Sequence, residues 1–263
     1  MKKRLFIFIP LALLAAFPGA AAETPEPAAI VERMLAAAGA EQFSEMGILK
    51  LEVVEEETRN DGTRSGHEYT LYVDTSNFAN VRMELQGGST VGCSEEGCWA
   101  FRDGKLDDRQ QTPYMAKTTL NQSLFPIMLP FTVKMEGVWV KEAKEIQWDG
   151  REAWSLAVPF AKGFFVSHVL TTTWSLVVAK DDNSLLAATF VPPVEYRKVE
   201  RKGIRYRTLK TEDIEDAQIP TQILSIGINV NGMESGHVRV TKIKPSVYGP
   251  SDPTLFRSPQ PAK

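Results

Sequence analysis

Short runs of alternating apolar and polar residues dominate this chain from residue 49 onward. Leu49, Leu51 and Val53 point one way while Lys50 and Glu52 point the other, and this period of two indicates a strand with one buried face. The alternation recurs in residues 69–73, 81–85, 154–158, 174–178 and 224–230. The pattern predicts about eleven strands in a mainly β (α+β) fold, too regular for crossover helices between parallel strands.

The joints between these runs carry turn dipeptides that tolerate positive φ. They are Asp61-Gly62, Asp103-Gly104, Asp149-Gly150 and Asn231-Gly232. Such pairs are typical of tight hairpins, in which consecutive strands are antiparallel. The sequence therefore predicts an antiparallel meander.

One amphipathic helix is predicted ahead of the strands, over residues 27–39 (PAAIVERMLAAAG). Pro27 is tolerated in the first turn, and Gly39 suits the C-terminal cap. The apolar residues Ile30, Val31, Met34, Leu35 and Ala38 share one face.

An apolar stretch of few charges, residues 112–131 (TPYMAKTTLNQSLFPIMLPF), interrupts the strand pattern. Pro126 and Pro130 predict that any helix here is broken into short pieces. Two interpretations remain open. The stretch is either a fixed plug at one end of a barrel or a mobile lid whose methionines pack adaptably against apolar ligands.

The chain begins with the features of a cleavable export signal. Lys2, Lys3 and Arg4 precede an apolar run and the small residues that end at Ala22. We expect residues 1–22 to be removed and residues 23–263 to form a single periplasmic domain without a membrane-spanning segment. Losing the three basic residues changes the formal net charge from −3 to −6, which argues against a nucleic-acid partner.

The two cysteines, Cys93 and Cys98, enclose the four residues SEEG. This is not the C-x-x-C spacing of redox enzymes, and there is no second pair to complete a zinc site. In an oxidising compartment the spacing predicts a disulfide across a hairpin. A loop this short should gain only about 2 kcal/mol from the cross-link.

Residues with catalytic potential are scattered rather than grouped. His67, His168 and His237 are far apart, and Ser89 does not lie in a G-x-S-x-G elbow. We therefore expect no enzyme, no metal and no cofactor.

The most basic stretch is residues 195–210, EYRKVERKGIRYRTLK, which predicts a hairpin turning at residues 201–203. Its charges are interpreted first as a strand edge that discourages aggregation. The alternative is a docking patch for anionic headgroups or an acidic partner. The residues of this candidate patch are Arg197, Arg201, Lys202, Arg205 and Arg207.

The order of elements resembles that of the LolA/LolB-like family of periplasmic lipoprotein carriers. Residues 97–101 (GCWAF) are similar to a family strand in which two aromatics follow a turn, and residues 252–259 (DPTLFRSP) are similar to its closing pattern. The opening-helix motif AGAE at residues 38–41 resembles the outer-membrane lipoprotein-sorting branch. The family's arginine–proline pair has no counterpart at residues 73–76 (VDTS).

The resemblance implies an incomplete antiparallel β-barrel wrapped around an apolar cavity, with helices over the opening. It implies a carrier of acyl chains of lipoproteins or lipids that acts by burial. The alternative is an interaction or stress-sensing module for an envelope protein, its interior filled by its own side chains. The expected cavity and lid residues are Met115, Leu124, Phe125, Met128, Phe131, Trp139, Trp154 and Trp174.

Overall fold

A computed structural model of the chain describes residues 25–165, 173–190, 203–229 and 233–259. The predicted signal peptide, His168 and the Asn231-Gly232 turn lie outside the described residues. Helix α1 is Pro27–Ala37, α2 is Ala40–Glu45 and α3 is Thr112–Ile127, and two short 3-10 helices span Phe131–Lys134 and Pro253–Phe256. The strands are β1 (Ile48–Thr58), β2 (Arg64–Asp74), β3 (Val81–Leu85), β4 (Thr90–Ser94), β5 (Gly97–Arg102), β6 (Lys105–Leu106), β7 (Glu142–Trp148), β8 (Arg151–Pro159), β9 (Thr173–Ala179), β10 (Leu185–Phe190), β11 (Gly203–Ile214), β12 (Ala217–Ile228) and β13 (Glu234–Gly249).

All thirteen described strands form one antiparallel sheet in the order β6-β5-β4-β3-β2-β1-β13-β12-β11-β10-β9-β8-β7. The terminal strands β6 and β7 do not pair with each other, so the barrel is incomplete, as predicted. The predicted number of about eleven strands was too low. The short β6 and the mostly polar edge strand β7 have little apolar alternation by which to be recognised.

The sheet is curved around a single main core. Strands β4 and β9 are eight positions apart in the strand order, which would be about 38 Å in a flat sheet at roughly 4.8 Å per strand. Nevertheless Val91 of β4 and Leu176 of β9 belong to the same cluster of buried side chains. One face of the sheet is therefore concave and apolar.

The three predicted turns that the structure describes, and the first helix, were predicted correctly. Asp149 and Gly150 have φ of 49° and 82° between β7 and β8, the positive values that such dipeptides allow. In α1 the predicted face is buried at Ile30, Val31, Met34 and Leu35. Gly39 follows with φ of 75°.

Helix α3 corrects the expectation that the prolines break residues 112–131 into short pieces. One helix of sixteen residues runs through Pro126, because this proline lies in its last turn, where little helix remains to be disrupted. The helix packs on β3, β4 and β5, while its Phe125 ring lies 5.1 Å from that of Trp174 on β9. Helix α3 thus bridges the two halves of the sheet.

The two short motifs that resemble the carrier family meet in space. The indole Nε1 of Trp99 on β5 donates a hydrogen bond to the carbonyl oxygen of Phe256, 2.9 Å away, and Arg257 lies 3.0 Å from Glu96. The ring of Trp99 packs directly on Gly92 of β4, where an added Cβ would lie 2.4 Å from a ring carbon. The C-terminal segment is thereby held against the β4–β5 hairpin.

Candidate functional site

A cleft of about 1300 Å³, partly open to solvent, lies at one end of the concave face. Helices α1 and α2 form one wall, and the β4–β5 hairpin and the first half of α3 form another. The turn at residues 75–79 and the segment 131–136 complete it. The larger apolar side chains along the cleft belong to Leu35, Phe43, Phe78, Val81, Leu120, Phe131 and Met135.

Aromatic rings form the centre of the cleft floor. The rings of Phe43 on α2 and Phe131 stack with centroids 4.0 Å apart, and Phe78 lies 5.9 Å from Phe43. Phe43 and Phe131 are almost fully buried, whereas Phe78 is half-buried. The ring of Phe78 therefore offers more surface to an entering ligand than the other two rings, which support it from below.

The disulfide between Cys93 and Cys98 forms part of the cleft wall. The two cysteines are opposite each other in the register of β4 and β5, so the predicted hairpin pairing is confirmed. The cross-link holds the hairpin that carries Ser94, Glu95 and Gly97 along the cleft.

The rim of the cleft is charged and mostly acidic. Glu32, Glu41, Glu95 and Glu136 lie along it with Lys117 and Lys134. Lys134 lies 3.6 Å from Glu32. An apolar floor below a polar rim suits an amphipathic ligand, because the ligand's own polar group can stay in water.

The buried carboxylate of Asp74 fixes the turn that forms one cleft wall. It accepts hydrogen bonds from the hydroxyls of Ser76 and Ser251, each 2.7 Å away, and from the Nδ2 of Asn80. Burial by itself would raise the pKa of Asp74, but the hydrogen bonds from Ser251, Ser76 and Asn80 outweigh it and hold the pKa below its usual range. Asp74 is therefore ionised at neutral pH in the native protein. Its hydrogen bonds fix the conformation of the turn at residues 75–79.

The predicted cavity residues lie mostly outside the cleft. Phe131 lines it, but Leu124, Phe125 and Met128 are fully buried in the core. Trp154 and Trp174 face the same core, and Phe125 and Phe160 pack against the Trp174 ring. The indole Nε1 of Trp174 is buried without a hydrogen-bond partner within the described part of the chain. Side chains of the protein itself fill this half of the concave face.

Two other expected cavity residues lie on the surface. Trp139 is 54% exposed and Met115 is 42% exposed. Trp139 follows α3 in a segment that pairs with residues 157–160 at the margin of the sheet. The residues around Trp139 do not alternate between apolar and polar, so the sequence could not predict whether its side chain is buried or exposed.

The basic stretch is only partly described. Arg197, Arg201 and Lys202 lie outside the described residues. Arg205 of β11 pairs with Thr189 of β10 on one side and with Ile226 of β12 on the other, so the strand-edge interpretation was wrong for Arg205. Arg207 pairs with Leu224 of β12 and lies just beyond the residues that pair with β10. The guanidinium groups of Arg205 and Arg207 lie 5.0 and 5.7 Å from the Trp148 ring.

A separate charged cluster lies on the concave face at the far end of β1. Arg239 approaches Glu55 at 3.2 Å and Glu57 at 3.1 Å, and the Tyr69 hydroxyl donates to Glu55 at 3.0 Å. Burial and the neighbouring Glu55 raise the pKa of Tyr69. The ion pairs and the hydrogen bond compensate these polar groups for their burial. This end of the concave face is therefore covered by polar side chains of the protein itself.

Sequence reasoning missed most of the cleft. Phe43 and Phe78 belong to a short helix and a turn, neither of which shows a strand period, and they meet Phe131 only through the tertiary fold. Among the described residues, no group of three or more His, Cys, Asp or Glu side chains could hold a metal ion. None of the described helices is long and apolar enough to cross a membrane.

The structure is similar to three solved structures over nearly their whole lengths. A LolA superfamily protein from Nitrosomonas europaea matches with a TM-score of 0.59 at 10% identity, covering 89% of this chain and 99% of that one. The chain has the LolA-like fold. Its LolA-like sheet and helices also match a DUF1329 family protein from Desulfovibrio piger, with a TM-score of 0.55, 13% identity and coverage of 89% and 98%.

The third similar structure is a candidate outer membrane lipoprotein-sorting protein domain from Vibrio parahaemolyticus. It matches the LolA-like fold of this chain with a TM-score of 0.57 at 9% identity, covering 88% of this chain and 97% of that one. By sequence, the chain matches no protein-family model and no curated relative. At these identities the likeness is one of fold.

Proposed function

We propose that the protein is a non-enzymatic periplasmic carrier that binds acyl chains, of a lipoprotein or of a free lipid, in the cleft between α1, α2, α3 and the β4–β5 hairpin. The observation that carries the proposal is the cleft itself, about 1300 Å³ with stacked phenylalanines on its floor. Ordinary small-molecule pockets have roughly 300–1,000 Å³, so the cleft suits a larger, amphipathic ligand. The fold is that of a LolA superfamily protein.

The location rests on two independent features. The charged, apolar and small-residue order of residues 1–22 is typical of an export signal. The disulfide between Cys93 and Cys98 is of a kind that persists in oxidising compartments.

Burial alone can supply useful affinity. A chain of about sixteen carbons gains roughly 0.8 kcal/mol per buried methylene, or more than about 10 kcal/mol in total. After ordering costs of several kcal/mol, a dissociation constant near micromolar, about −8 kcal/mol, is within reach.

The test is displacement of a fluorescent fatty-acid probe from the mature protein in solution. Phe78→Glu should abolish saturable binding, because it places a charge among the apolar side chains of the cleft at a half-buried position. Leu85→Glu is the matched control, since Leu85 is 37% exposed and does not line the cleft. A folded wild type without saturable displacement, or equal binding by the two variants, would contradict the proposal.

A second candidate function is supported by the other half of the concave face. There Phe125, Phe160 and Trp174 fill the interior, which is what an interaction or scaffold module for an envelope protein would need. This candidate predicts no lipid bound to protein purified from its native envelope, whereas the carrier predicts co-extracted acyl lipids by mass spectrometry.

A further inference from the structure

Three large apolar side chains are exposed beside the mouth of the cleft. Tyr114 and Met115 of α3 are each 42% exposed, and Trp139 is 54% exposed. Tyr114 also lines the cleft, as does Glu136, three residues before Trp139. The three exposed side chains therefore lie at the end of the molecule where the cleft opens to solvent.

The segment at residues 159–163 holds these side chains together. An added Cβ at Gly163 would lie 3.2 Å from the Tyr114 ring. On the other side, the N–H of Ala161 donates to the Gly137 carbonyl oxygen at 2.7 Å, and the N–H of Trp139 donates to that of Pro159 at 3.2 Å. Tyr114 and Trp139 thus flank one short segment. We use the name mouth patch for the exposed residues Tyr114, Met115, Lys117, Trp139, Lys141 and Lys162.

Three lysines without ion pairs lie close to these residues along the described chain. Lys117, Lys141 and Lys162 are exposed, and none of them forms an ion pair with any part of the chain that the structure describes. Lys117 is one turn after Tyr114, Lys141 is two residues after Trp139, and Lys162 precedes Gly163. The cleft rim beside these lysines is mostly acidic, and its Glu136 is only three residues before Trp139, so the lysines form a local basic group and the exposed aromatic rings contribute the rest of the docking surface.

We propose that the mouth patch docks the protein on the surface of an anionic lipid bilayer. Tryptophan and tyrosine favour the headgroup region of a membrane, where an apolar ring and a polar group can both be accommodated. Lysines near the surface are attracted by anionic lipids. The inference rests on the proposed function: a cleft that opens at the bilayer surface lets an acyl chain pass between membrane and protein without crossing water.

The test is co-sedimentation with vesicles of phosphatidylethanolamine and phosphatidylglycerol, compared with vesicles of phosphatidylcholine alone. The wild type should bind the anionic vesicles, and the binding should weaken as salt screens the lysines. Trp139→Ser should weaken binding about ten-fold, through the loss of a half-buried apolar contact. Lys141→Gln and Lys162→Gln should each weaken it roughly five-fold.

Matched controls come from equally exposed residues elsewhere in the fold. Tyr248→Ser removes an aromatic ring that is 56% exposed on β13. Lys105→Gln and Lys210→Gln each remove another lysine without an ion pair among the described residues. These three variants should bind vesicles like the wild type. In addition, brominated lipids should quench the wild-type fluorescence more than that of Trp139→Phe.

Wild-type protein that fails to sediment with anionic vesicles overturns the docking proposal and leaves a protein partner as the occupant of the patch. Equal loss in the mouth-patch variants and the controls also overturns it. The fatty-acid displacement assay uses no membrane, so it separates the two proposals. Trp139→Ser that keeps its probe affinity in solution but loses vesicle binding supports docking as a property distinct from the cleft.

Discussion

At the scale of single residues, the cleft depends on polar groups that lie behind its apolar lining. Asp74 receives hydrogen bonds from two serines and an asparagine and anchors the turn at residues 75–80. The alternation in β2 could predict that Asp74 ends a strand, but not that Ser251 would approach it from 177 positions away in the sequence.

The pH dependence of stability should reveal this carboxylate. Because its folded pKa is lowered, Asp74 contributes stability above its unfolded pKa of about 3.9 and loses it as the pH falls through the folded value. Asp74→Asn should therefore unfold at lower urea concentration than the wild type at neutral pH, and the gap should shrink below about pH 3.9.

The measurement is the free energy of unfolding in urea at a series of pH values. Asp108→Asn, which alters an exposed aspartate outside the network, should track the wild type throughout. A difference between Asp74→Asn and the wild type that stays constant from neutral to acidic pH would show that the ionised form has no special role.

At the scale of elements, α3 decides how the interior is divided. Its buried face, with Leu120, Leu124 and Phe125, packs on one half of the sheet and reaches Trp174 on the other. This packing favours the fixed-plug interpretation of residues 112–131 over the mobile lid. The sequence predicted that α3 is apolar. It could not predict which face of the helix is buried, because few charged residues mark an exposed face.

Substitutions in α3 should separate a fixed plug from a mobile lid. Leu124→Ala should cost about 2 to 5 kcal/mol of global stability, because it leaves a cavity in the core. Met115→Ala, on the exposed side of the same helix, should change stability by no more than about 0.5 kcal/mol. Both are measured by equilibrium urea unfolding. If Leu124→Ala costs less than about 1 kcal/mol, the helix contributes little to the core and the lid interpretation is favoured.

At the scale of the whole molecule, one core joins both halves of an open sheet. Val91 of β4 and Leu176 of β9 belong to it although their strands are eight positions apart. Shared burial of this kind is expected to give a single cooperative unit, in keeping with the single domain predicted for residues 23–263.

Pulsed hydrogen exchange in stepped urea should test this cooperativity. Peptides from β3–β5 and peptides from β8–β10 should lose protection at the same urea concentration, because neither half can keep its concave face buried without the other and α3. Two separate midpoints would indicate two units and contradict the single-domain prediction.

The sequence by itself determined most of the strands, the tight turns between the described ones, the first helix and the cysteine pairing. These are local properties: a period of two, a dipeptide that tolerates positive φ, and a spacing of five residues each constrain a few neighbours directly. Tertiary structure alone decided the location of the cleft. Phe43, Phe78 and Phe131 become its floor because α3 and Phe160 already occupy the surface around Trp174. An alternating pattern shows which side of a strand is apolar, but it cannot show which other part of the chain will cover that side.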